Sequence, residues 1–171
     1  MRPCLAPLLF LAACAGLDPA TALRMSQIDP LTADPAGFAI RLDLPAGVGI
    51  ASDSAALGLS ATRNAETRGG VFRIVAAPSG DIWRIAPVAL TPLREAQEII
   101  AEWERVDPDG TEGSLTISAT PCRAGDGPAH DATLSAALQV APGGPYLPIL
   151  REVPVADLMR AAGLVDLPPC A

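Results

Sequence analysis

Beginning at Gly37, apolar and polar residues alternate. Phe38, Ile40, Leu42 and Leu44 fall on one side of an extended segment, and Arg41 and Asp43 on the other. A strand with one buried face has this period of two. The pattern recurs over residues 56–62, 71–77 and 82–88, again at Leu115, Ile117 and Ala119, and at Leu134, Ala136, Leu138 and Val140. After Pro142-Gly143-Gly144-Pro145 a last run covers 146–153. The separators are turn-rich: Asn64-Ala65-Glu66-Thr67-Arg68-Gly69-Gly70, and Pro78-Ser79-Gly80-Asp81, which is short enough for a hairpin. About seven short strands spaced this way predict a mainly β fold, either an antiparallel sandwich or a curled sheet, with α+β as the alternative.

One segment follows a different period. Leu93, Ala96, Ile99, Ile100, Trp103 and Val106 recur at three- and four-residue spacing between Pro92 and Asp107-Pro108. This predicts one amphipathic helix, capped by Thr91 and opened by Pro92, with the stripe ending in Trp103 turned into the core. Glu95, Glu98, Glu102 and Glu104 fill its outer surface, with Arg94 and Arg105 placed for ion pairs. A second, short helix is expected over 155–162.

Upstream of the alternation, residues 15–36 contain three Asp-Pro steps, at Asp18-Pro19, Asp29-Pro30 and Asp34-Pro35. Proline removes a donor and pushes its predecessor out of helical space, so the segment reads as a tether with an end-to-end reach of about 25 Å if flexible. Leu23, Met25 and Ile28 are the residues in it that could lie against the domain. The division expected is therefore 1–13, 14–36 as tether, and 37–171 as one β-rich domain.

Residues 1–14 have a character of their own. Arg2 precedes an apolar run from Leu5 to Ala13 that is too short for a membrane-spanning helix, and the run closes on Leu11-Ala12-Ala13-Cys14. This resembles the signal peptide of a bacterial lipoprotein. The resemblance implies cleavage before Cys14, alkylation of its thiol by diacylglyceryl and acylation (palmitate or a similar chain) of the new amino terminus. It further implies an anchor in the membrane with the domain facing the periplasm. Ala15, rather than Asp, follows the cysteine, which in that family leans towards the outer membrane. Ala20-Thr21-Ala22 offers the competing reading, an ordinary secretory cleavage after Ala22 that would leave a soluble periplasmic protein.

Charge and composition narrow the partners. The twelve cations are all Arg; removal of Arg2 would leave eleven against nineteen acidic residues, a net charge of −8 on a mature chain of 158 residues (171 minus 13). Such a surface argues against nucleic acid. Without lysine there is no Schiff-base chemistry and no phosphate-binding lysine. Cysteines sort by position: Cys4 leaves with the leader, Cys14 takes lipid, and Cys122 and Cys170 remain as the pair expected to form a disulfide in an oxidising compartment.

No catalytic constellation emerges. His130 is the sole histidine and no Gly-x-Ser-x-Gly elbow accompanies it. Asp107-Pro108-Asp109-Gly110-Thr111-Glu112 superficially resembles a calcium loop, but its glycine falls at the fourth position, and a plain turn is expected. No metal ligands, cofactor motif or catalytic residues are assigned. The sequence thus supports an envelope lipoprotein acting as a non-catalytic binding or structural module, with an envelope protein as a possible partner. A carboxylate-dependent hydrolase or carbohydrate-active enzyme is the alternative, which convergence of Asp43, Asp53, Glu66 and Asp81 would favour.

Overall fold

The computed structural model describes residues 29–170; the expected leader, Cys14 and the expected tether up to residue 28 lie outside the described residues. In chain order the elements are β1 (Ala39–Asp43), β2 (Val48–Ile50), β3 (Ala56–Arg63), β4 (Glu66–Ala76), β5 (Ile82–Ile85), α1 (Leu90–Val106), β6 (Glu112–Ser118), β7 (Pro121–Arg123), β8 (Thr133–Gln139), β9 (Leu147–Pro154) and α2 (Val155–Ala161). Seven strands form one curled antiparallel sheet, a half-barrel in the order β6-β3-β4-β5-β1-β8-β9, and β2 pairs with β7 in a separate ribbon. Of the two forms expected, the curled sheet with one amphipathic helix is the observed one.

The longest hairpin shows how local sequence sets register. β3 and β4 pair from Ala56 opposite Arg73 to Arg63 opposite Glu66, leaving a two-residue turn at Asn64 and Ala65. Both turn residues have positive φ, 51° and 65°, the conformation whose twist matches that of paired strands. Asn tolerates it readily; Ala65 bears a cost of about 1–2 kcal/mol. The stretch 66–70, expected as part of a turn, is consequently strand, and Pro78–Asp81 forms the expected reversal, with the Ala77 N–H donating to Ile82 O at 2.7 Å.

Register places Leu57, Phe72, Ile74, Ile85, Ile40 and Leu138 on one face of the sheet, and all are buried. α1 lies on this face over β3 and β4, burying Leu93, Ala96, Gln97 and Ile100 at spacings of three and four. Thr91 does not cap the helix. The chain enters α1 from a 3-10 turn at Pro87–Ala89, so Pro87 supplies the fixed φ and no side-chain cap forms. Trp103 is half-buried on the flank of the stripe, with the Arg63 guanidinium 4.7 Å from its ring centre. At a helical step of about 100° it stands roughly 70° off the stripe's midline, while Ile99 and Val106, both exposed, stand off by more than about 100°.

Gln97 takes the place an apolar residue would hold. Its Nε2 donates to Pro30 O at 2.6 Å and to Ala33 O at 3.0 Å, binding the incoming chain to α1. Leu31 is already part of the core, so packing reaches back into the segment read as tether.

Candidate functional site

α1 covers only part of the apolar face. Beyond it the sheet curls around a cavity of about 380 Å³ whose lining includes residues from or beside every strand of the sheet, among them Ile117, Ile74, Trp83, Leu42, Ala136 and Ile149. The β2–β7 ribbon supplies Val48, Ile50 and Pro121. α2 and the residues after it supply Val155, Leu158, Met159, Ala162, Leu164 and Leu167, which form a strap over the cavity.

The strap is fixed at both ends. α2 continues directly from β9, and the Val155 N–H donates to Ala132 O at 2.9 Å. At the other end the sulfurs of Cys122 and Cys170 are 2.07 Å apart, a disulfide that joins the tail to β7. Two backbone hydrogen bonds lie beside it, Arg123 N–H to Pro168 O at 2.7 Å and Cys170 N–H to Arg123 O at 3.0 Å. Cys122 is fully buried, and Gly49 sits opposite it in β2. A Cβ on Gly49 would fall 2.8 Å from Cys170 Sγ, so the bridge requires glycine there.

No residue lining the cavity carries an ionisable side chain, and apart from the Trp83 indole the only polar side chain is the hydroxyl of Ser118. The Trp83 N–H is itself buried with no acceptor among the described residues, at a cost of about 1–3 kcal/mol. Two of its buried lining positions, Ala55 and Ala136, carry side chains too small to fill the curl. Ile117, Ser118, Ala119 and Ala162 are exposed and mark the rim. Such a chamber can hold an apolar molecule by excluding water from it; it has no group placed for acid, base or nucleophilic chemistry.

The carboxylates proposed as a possible active site do not meet. Asp53 pairs with Arg73 and Glu66 with Arg68, all exposed. Asp81 is exposed in the β4–β5 turn, where the Ser79 hydroxyl above all, with Arg41 further off, holds its carboxyl below the usual carboxylate range. Asp43 faces outward from β1 and lines a shallow groove on the outer face with Arg41, Arg151 and Glu152. Elsewhere, Arg105 donates to Glu102 at 2.6 and 2.9 Å, which lowers the Glu102 pKa and raises that of Arg105. His130 is exposed in the β7–β8 loop. Asp107 closes a turn by accepting the Gly110 N–H at 3.0 Å. Among the described residues no group of three His, Cys, Asp or Glu side chains could hold a metal ion, and no helix is long and apolar enough to cross a membrane.

Sequence reasoning passed over the cavity and Gln97. Periodicity identifies a buried face but not whether that face is filled; the available signal was the low aromatic content, 4% of residues, beside abundant alanine. Comparison with known proteins adds nothing to the geometry: no family, curated protein or solved structure matches the chain.

Proposed function

We propose that this protein is a lipid-anchored envelope module, held by acyl chains on Cys14 with its domain in the periplasm, that binds an apolar molecule without chemically altering it. The anchor and its outer-membrane placement rest on Leu11-Ala12-Ala13-Cys14 and on Ala15. Binding rests on one observation, a cavity of about 380 Å³ with an almost wholly apolar lining, within the range of small-molecule sites. Catalysis would need a group tuned by its surroundings, and the lining offers none.

The binding test uses the mature chain, residues 14–171, carrying Cys14→Ala, titrated with an environment-sensitive apolar dye. Saturable binding of one dye per chain is expected. Ala136→Phe, which fills part of the cavity from its wall, should weaken it by about tenfold or more while preserving thermal stability. Absence of dye binding to the unfilled chain would remove the proposal. Lipidation is tested separately: Cys14→Ser should abolish fatty-acid labelling in cells, and unchanged labelling would contradict the anchor.

One further observation favours a protein partner as a second reading. β6 is an edge strand with all seven residues exposed, including Leu115 and Ile117. An edge of this kind can accept another strand. A photo-crosslinker at Thr116 should then capture an envelope protein in cells; crosslinking no more than one on the outer face of α1 would exclude that reading.

A further inference from the structure

Resting on the reading of the cavity as a binding site, we infer that its ligand is a single straight alkyl chain of about fifteen carbons that enters hydrocarbon first and leaves its polar end at the rim. Capacity follows from volume. A cavity of about 150 Å³ accepts a six-carbon ring in a dry apolar interior, so 380 Å³ holds roughly fifteen carbons at the same packing.

Polarity fixes the orientation. A hydroxyl, carboxylate or phosphate inside would lose its water and find no partner in the lining, a penalty that grows steeply for a charged group. No lining residue offers a hydroxyl from the inner face: Ser118 pairs with Ala56 in the register that turns Leu57 and Ile117 inward, and it is exposed at the rim with Ala119 and Ala162. The polar end therefore stays at this rim while the alkyl part occupies the space between sheet and strap. A second chain would have to lie outside this space, so an ordinary two-chain phospholipid taken in whole fits it less well than a single chain. The shared chemistry of the candidates is one linear chain with one polar end, as in a free fatty acid or a single-chain glycerophospholipid.

Calorimetric titration of the mature chain with Cys14→Ala, below the micellar concentration of each ligand, tests this. Straight-chain carboxylic acids from roughly eight to roughly eighteen carbons bracket the estimated capacity. Each added methylene should tighten Kd about fourfold until the cavity is full, after which affinity should level off. A parallel series of lysophosphatidylcholines separates the two sources. Equal slopes with similar plateaus mean that the chain alone is recognised, whereas a constant offset between the series identifies the preferred head group.

Ala136→Leu adds three carbons to the wall and keeps the fold, because it fills space rather than displacing neighbours. It should move the plateau about three carbons shorter. Dye binding with no dependence on chain length, or tighter binding of a compact polycyclic hydrocarbon than of any chain, would overturn the alkyl-chain assignment while leaving the binding reading standing. A plateau unmoved by Ala136→Leu would show that the chain occupies some other place.

Discussion

Replacing Cys122 and Cys170 together by alanine removes the cross-link without leaving a lone thiol. The bridge closes a loop of about 49 residues, since its ends are 48 apart in sequence. Chain entropy then assigns about 4 kcal/mol to the constraint on the unfolded state. The native side should change little. The tail keeps its two backbone hydrogen bonds to Arg123, each contributing about 1 kcal/mol, and Leu167 stays buried. Guanidinium unfolding of residues 14–171 with Cys14→Ala, followed by tryptophan fluorescence, should therefore show a loss of about 4 kcal/mol. The denaturant slope should rise, because the uncross-linked chain exposes more surface, and the thermal midpoint should fall by roughly 10 °C. A loss below about 1 kcal/mol would refute the reasoning, since it would mean that the bridge is absent or strained enough to cancel its entropic effect.

Other substitutions test the packing. Ile100→Ala, at a fully buried position, should cost about 2–5 kcal/mol, and Trp103→Ala should cost less than the roughly 3–5 kcal/mol of a buried aromatic; a Trp103 loss within that range, or an Ile100 loss below about 2 kcal/mol, would contradict the placement of α1. Gln97→Leu removes two donors but also the amide oxygen that is buried without a partner. A modest net loss of about 1 kcal/mol is expected, with faster proteolysis within 29–34, and unchanged proteolysis would show that Gln97 does not hold this segment. Glu102 has its folded pKa lowered by Arg105, so its contribution to stability is present above the unfolded carboxyl pKa and disappears as pH falls through the lower folded value. Thermal midpoints of the native chain and Glu102→Gln should accordingly differ near neutrality and converge in acid; a difference that persisted in acid would be inconsistent with the pair.

Strands with unbroken alternation, such as β1, β3 and β8, were legible because register and burial both follow the period of two. β2 and β7 were not. Each has three residues, and Gly49 and Pro121 interrupt the pattern for reasons that lie elsewhere in the chain, the disulfide in the first case. The first half of β4 escaped notice because Glu66, Thr67 and Arg68 are all exposed near the tip of the hairpin, so no apolar residue announces it. Gln97 was hidden by the same logic in reverse: a search for apolar stripes skips the polar residue at their centre, although its partners are backbone carbonyls some sixty residues away. The two cysteines were legible as a pair from parity alone. The cavity was not, because no local pattern records how far a sheet curls or which alanines face one another across it.

The central claim, that an alkyl chain lies between the curled sheet and the strap, is tested most directly by the two tryptophans. Trp83 lines the cavity, whereas Trp103 lies on α1 outside it. With Trp103→Phe leaving Trp83 as the reporter, an alkyl chain brominated near its end, a short-range quencher, should extinguish the fluorescence and saturate at one ligand per chain. With Trp83→Phe leaving Trp103, the same ligand should quench little. Equal quenching of both tryptophans, or none of Trp83, would contradict the account.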